Sequence, residues 1–197
     1  GLRVDGSSSF GSDFGLQPFP RVSASYVVSD EEFWPRSLGT VRLRAAYGEA
    51  GRAPRVFDAD RSWIQAGYDG KPAFLPLSIG NPRLGPERSA EIEFGIEAMT
   101  PGEGMRADLT VYRRTTSEAL LPIQQPPSLG FLNPQLENVG TMRTSGLELA
   151  VSGTSGWGDR VQLDLGFTLA LNRTKALDLG ESPDFVLDEV AWIREGY

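Results

Sequence analysis

Between Val161 and Leu171 every second residue is large and apolar, and the positions between them carry Gln162, Asp164, Gly166, Thr168 and Ala170. A period of two puts each set on its own face of an extended strand. The same alternation recurs in shorter runs. Residues 21–29 set Val22, Ala24, Tyr26 and Val28 against Ser23 and Ser25, and residues 41–51 set Val41, Leu43, Ala45 and Tyr47 against Arg42 and Arg44. In 89–99, Ile92, Phe94, Ile96 and Ala98 oppose Glu91, Glu93, Gly95 and Glu97. In 105–114, Met105, Ala107, Leu109 and Val111 oppose Arg106, Asp108, Thr110 and Tyr112, and in 145–153, Leu147, Leu149 and Val151 oppose Gly146, Glu148, Ala150 and Ser152. With a weak run over 2–10, the pattern predicts about seven strands, and 23 Gly and 14 Pro fall mostly between the runs as turn signals.

One apolar face per strand is common to a soluble sandwich and a membrane barrel. Strand length favours the barrel: about ten residues at ~3.3 Å, tilted ~45°, rise roughly 24 Å, near the ~25 Å apolar band of an outer-membrane barrel, whereas sandwich strands usually stop at about 5 or 6 residues. The connections point the same way. "TPGEG" and "GTSGWGD" are tight and glycine-rich, while 51–88 and 120–135 are long. Short periplasmic turns on one rim and long outer loops on the other are the barrel arrangement. Phe33, Trp34 and Trp157 fall near strand ends on the short-turn side, where interfacial aromatics belong in a barrel and where they would cap the core of a soluble domain.

Composition narrows the function. The hydrophobic fraction is 40%, yet no run approaches the ~18 apolar residues of a membrane helix, so any membrane reading is a β one. A formal charge of -7 without a Lys/Arg cluster argues against a nucleic-acid partner. The absence of His and Cys removes Ser-His-Asp and Cys-His catalysis, His- or Cys-ligated metals and disulfides. The sequence opens in strand-like residues without Met or a signal segment, which reads as an internal piece of a longer chain.

Six stretches carry a family resemblance: "RVDGSSSFG", "FPRVSASYVVSDEEFW", "LRAAYGEAGRAP", "NPRLGPERSAEIEFGIEA", "LTVYRRTTSEALL" and "LENVGTMRTSGLELAVSG". In this order, from about Arg3 to Asn172, they resemble the β-barrel region of TonB-dependent outer-membrane receptors, and most of all the SusC-like branch. The resemblance implies an all-β, antiparallel up-and-down meander of about seven to eight strands over residues 1–197, an open curved sheet forming part of a transmembrane barrel of about 22 strands. It also implies active uptake of a glycan, peptide or siderophore-type nutrient across the outer membrane of a Gram-negative-type bacterium, without enzymatic chemistry or cofactor. The implied partners are outer-membrane lipid, the rest of the barrel and its plug domain, the TonB complex acting through a missing N-terminal region, and a surface lipoprotein lid. Alone, such a piece would present two open edges and one greasy face, and it would neither insert nor transport.

Within these motifs Asn81-Pro82 and Gly85-Pro86 read as turn formers leading into a strand, Gly140 and Gly146 as places where a strand bends or packs closely, and Glu148 as facing inward. Trp63, Tyr68 and Phe74 share the long 51–88 loop and are the candidate ligand-binding residues, by stacking on a sugar or peptide; packing of the loop on itself is the alternative. Asp58 and Asp60 are weaker candidates for a calcium site, lacking the loop continuation of an EF-hand. Glu91, Glu93 and Glu97 form an acidic stripe that Arg42, Arg44 and Arg106 could face across the sheet; a glycosidase-like pairing of Glu91 and Glu93 ranks below mutual ion pairing. "NRT" at Asn172 is read as an incidental sequon, and Tyr197 as a boundary before further strands. The competing function is a soluble, adhesin-like β-sandwich that binds through the same loops. A carbohydrate-active enzyme ranks third.

Overall fold

The computed structural model describes all residues except 12, 132, 158–160, 181–184, 189–190, 194–195 and 197. Seven strands form one sheet: β1 (Leu2–Asp5), β2 (Gln17–Val27), β3 (Thr40–Arg52), β6 (Glu87–Met99), β7 (Met105–Ser117), β10 (Thr141–Trp157) and β11 (Val161–Asp178). Three two-stranded ribbons complete it: β4 (Ser62–Tyr68) with β5 (Lys71–Ser78), β8 (Leu120–Ile123) with β9 (Gln135–Asn138), and β12 (Phe185–Asp188) with β13 (Ala191–Ile193). All pairs in the large sheet are antiparallel and its spatial order follows the chain, so the meander expected from the sequence is present, with β1 and β11 at its ends.

Register turns the alternation of single strands into continuous rows. Tyr26, Leu43, Ile96, Leu109, Leu149 and Leu169 are successive cross-strand partners, and Ala24, Ala45, Phe94, Val111, Leu147 and Leu171 form the next row. Because side chains alternate, the intervening rows fall on the reverse face: Ser25, Arg44, Gly95, Thr110, Glu148 and Ala170 make one of them. A one-residue slip in any strand would exchange the faces, so the apolar pattern fixes the register.

Among the described residues no second layer covers the apolar face. Among the described residues Leu165 is 65% and Phe167 57% exposed, and the large sheet has no opposing sheet. A soluble sandwich buries these positions between two layers about 10 Å apart, so the adhesin-like reading is not favoured. The buried apolar cluster lies elsewhere, at the long-loop rim, where Ala119, Leu121, Ala176 and Leu179 pack with Ile123, Val139 and Met142.

The rims differ as the sequence indicates. Residues 100–104 make a tight turn closed by Thr100 and Met105, whose N–H groups bond the partner's carbonyl or hydroxyl oxygen at 3.0 and 2.9 Å. The other rim carries 53–86 and 118–140, and these loops contain the β4–β5 and β8–β9 ribbons. β10 also runs on to Trp157, so most of "GTSGWGD" is strand rather than turn, and β1 is shorter than the 2–10 run suggested. Gly140 has φ +78 and sits against the Asp178 carbonyl, and the Tyr112 ring lies over Gly146, where a Cβ would meet it at 2.5 Å. The expected close approach is thus found at both glycines.

Two motif stretches bond to each other. Asn138 Oδ1 accepts the Gly85 N–H at 2.6 Å, and its Nδ2 donates to the carbonyls of Gly85 (2.9 Å) and Glu118 (3.1 Å). The same "NPRLGPE" segment lies against the chain start, with the Gly11 N–H on the Leu84 carbonyl at 2.7 Å and Leu84 fully buried. Asn138→Ala should therefore cost about 1–2 kcal/mol, through an orphaned Gly85 N–H and two lost acceptor contacts. Limited proteolysis of the full-length protein should show faster cleavage within 118–140.

Candidate functional site

Two surfaces carry polar or aromatic chemistry. The first is the reverse face of the sheet. Glu97, on β6, lies between Arg42 of β3 and Arg106 of β7: its carboxylate is 2.5 Å from Arg106 Nη2 and 3.4 Å from Arg42 Nη1, and the residue is 8% exposed. Arg44 Nη2 donates to both oxygens of Asp108 at 2.9 Å, and Arg114 Nε donates to Glu91 at 2.7 Å. The acidic stripe and the arginines anticipated opposite it do share this face, but only Glu97 pairs with two of them, Arg42 and Arg106; Glu91 pairs with Arg114 and Arg44 with Asp108 instead. Glu91 is tied to Arg114 rather than held in an apolar pocket, so the Glu91/Glu93 pair lacks the environment that prepares a glycosidase acid. Glu148 lies on the same face, opposite Thr110 and Ala170.

The second surface is the β4–β5 hairpin. Its two-residue turn is Asp69-Gly70, with φ of 50° and 71°, the left-handed pair of a type I′ hairpin. The register pairs Trp63 with Pro76 and Gln65 with Phe74, so Trp63 and Phe74 are diagonal neighbours on one face, where they line a shallow cleft of about 470 Å³. They are 53% and 71% exposed. Tyr68 pairs with Lys71 on the opposite face, so two of the three candidate aromatics come together and the third points away.

The hairpin is tethered from below. Gln135 Oε1 accepts the Ile79 N–H at 2.9 Å and the Ser78 hydroxyl at 3.3 Å, and Asn133 Nδ2 donates to the Leu77 carbonyl at 3.1 Å. Sequence reading missed these tethers, although Asn138 and Gly85 stand inside quoted motifs. Asp58 closes a local turn, accepting the Arg55 N–H at 2.9 Å, and among the described residues no three metal-ligating side chains converge. At the other rim Phe33 is exposed and the Trp34 indole donates to the Gly39 carbonyl at 2.9 Å. Tyr197 and the side chain of Trp157 lie outside the described residues, and Asn172 is within β11.

A seven-strand meander with one bare apolar face, one ion-paired face and tethered loops on a single rim is the geometry of a barrel wall. The family model for the TonB dependent receptor-like β-barrel matches residues 1–193. The chain belongs to the TonB-dependent receptor family. The TonB-dependent receptor P26 of Formosa agariphila is 30% identical over 200 residues, covering 95% of this chain and 20% of that protein. Among solved structures, the RagAB peptide transporter superposes with a TM-score of 0.89 at 24% identity, covering 100% of this chain and 22% of that one. The FrpB iron transporter of Neisseria meningitidis superposes at 0.55 with 18% identity, covering 85% and 21%. The chain thus spans about a fifth of the length of the curated relatives it matches, 20% and 18%.

Proposed function

We propose that this chain is a stretch of wall and outer loops in a SusC-like receptor that imports a nutrient across the outer membrane of a Gram-negative-type bacterium. In the whole protein a plug domain fills the lumen, the TonB complex drives transport, and a surface lipoprotein covers the long-loop rim. The sheet itself does no covalent chemistry. The supporting observation is the division of faces: unbroken apolar rows on one side, and arginines neutralised by carboxylates on the other. The first suits hydrocarbon, the second a water-filled or plugged lumen.

The cargo is peptide or glycan, engaged by Trp63 and Phe74, with a siderophore-type ligand as the lesser alternative. The higher superposition with a transporter named for peptides than with one named for iron supports that order. Uptake of a fluorophore-labelled casein peptide pool, compared with labelled maltodextrin, tests it in cells carrying the full-length receptor. Deleting the receptor should abolish uptake of one of them, and Trp63→Ala with Phe74→Ala should weaken its concentration dependence roughly tenfold, the scale of two lost aromatic contacts. Unchanged uptake of both after deletion would refute the transport reading.

A further inference from the structure

The two edges of the β4–β5 hairpin are finished differently. Pro72 and Pro76 have no N–H to give β4, so the pairs Gly67–Pro72 and Trp63–Pro76, with Gln65–Phe74 between them, are the ones that turn their backbone groups outward. On β5 the prolines therefore leave Phe74 as the one outward N–H between residues 72 and 76. β5 also carries the extra residue of the register shift, Leu77, whose carbonyl accepts from Asn133 at 3.1 Å. β4, Ser62–Tyr68, has no proline, no charged residue and no extra residue. Among the described residues no strand pairs with its outer edge, and Trp63, Gln65 and Gly67 are all exposed. A Cβ placed on Gly67 would meet nothing within 4 Å.

Proteins blunt bare strand edges with proline, charge or a bulge, because unpaired backbone invites another strand. Here β5 has two of these devices and β4 has none. The open edge does not arise at an end of the sheet: the hairpin joins β3 to β6, both internal strands, and the loops on either side of it, 6–16 and 118–140, belong to this chain. A strand laid along β4 would find outward backbone groups at Trp63, Gln65 and Gly67, at the roughly 6.8 Å repeat of alternate residues, which a peptide backbone matches and a glycan does not. The same three residues face the cleft, so alternate side chains of the added strand would project beside Trp63 and Phe74, with open space over Gly67 to take one of them. A two-stranded ribbon is marginally stable alone, and a third strand strengthens it.

We propose that the outer edge of β4 captures cargo as an added β-strand, selecting extended peptides by their backbone while admitting varied side chains. The inference rests on the transport reading with a peptide as cargo and supplies its mode of capture. The test uses the full-length receptor, with any surface lipoprotein it carries, and two probes bearing an N-terminal fluorophore: the hexapeptide KVTVTK, and the same peptide N-methylated at its two central residues, one for either edge of the strand. By fluorescence anisotropy the unmethylated probe should bind the native receptor about tenfold more tightly than the methylated one, the scale of one or two lost ladder hydrogen bonds. Gln65→Pro, which gives β4 the blocked edge that Pro72 gives β5, should weaken the unmethylated probe about tenfold and erase the difference between the two. Equal binding of the two probes by the native receptor, or no binding of either, overturns the proposal, and that comparison needs no variant to fold. A methylation effect that survives Gln65→Pro in a folded receptor also overturns it, as does displacement of the probe by maltodextrin. Binding that appears only after the surface lipoprotein is stripped would assign the edge to that partner and overturns it too. Uptake of the casein peptide pool is scored separately: receptor-dependent uptake with equal binding of the two probes refutes strand addition alone, whereas uptake unchanged on deletion refutes the transport reading.

Discussion

Leu165→Arg in the full-length receptor is expected to destabilise the folded barrel by about 2–4 kcal/mol, the cost of an arginine near the bilayer midplane. Leu165 sits near the middle of the outward series from Val161 to Leu171, between the apolar Leu163 and Phe167, and its cross-strand partner Gly153 has no side chain to meet a guanidinium placed there. Its side chain is too far from either end of the series to reach water without thinning the lipid. Asp164, one residue earlier, faces the other way, where Thr154 donates to it at 2.7 Å. Asp164→Asn keeps an acceptor oxygen and should change stability by less than about 0.5 kcal/mol. Urea unfolding of receptor folded into phosphatidylcholine vesicles reads both variants. A large cost at 164 with none at 165 would reverse the assignment of faces.

Glu97→Ala should cost about 2–3 kcal/mol, less than the 3–5 kcal/mol typical of breaking a fully buried pair because both arginines keep partial access to water. One carboxylate here serves Arg42 and Arg106 at once, on strands either side of its own, so its removal leaves two like charges facing each other across β6. Asp108, the adjacent partner of Glu97 on β7, is already shared by both Arg44 Nη2 contacts and cannot take over without giving those up. The coupling is measurable as a cycle: Arg106→Ala in the Glu97→Ala background should be nearly neutral or stabilising, whereas in the native background it should be destabilising. Additive effects would mean that the 2.5 Å contact contributes nothing in the assembled receptor.

The seven strands of the sheet were legible because each has one bare and one polar face, and the alternation survives in the residues themselves. Their ends were less so: β10 continues past Gly153 through Thr154, Ser155 and Gly156, which carry no apolar alternation to follow. The β4–β5 hairpin escaped notice although Asp69-Gly70 is a strong hairpin signal, since Pro72 and Pro76 interrupt the β5 pattern and disguise it as loop. The β8–β9 ribbon is too short for periodicity to register, and Pro122 sits inside it. The aromatic candidates were identifiable as a loop group, but which two share a face depended on the hairpin register. Likewise, the acidic stripe was visible along one strand, whereas the double use of Glu97 emerges only when three strands are laid side by side.

The tethering of the two outer loops has an engineering consequence. Gln135, Asn133 and Asn138 fasten the second loop to backbone atoms of the first and to the entry of β6, so the pair behaves as one graft unit. A chimaera that takes only 53–86 from a relative of different specificity would arrive without its clamp, while exchanging both loops together preserves the anchorage and gives the cleaner route to a receptor with altered diet.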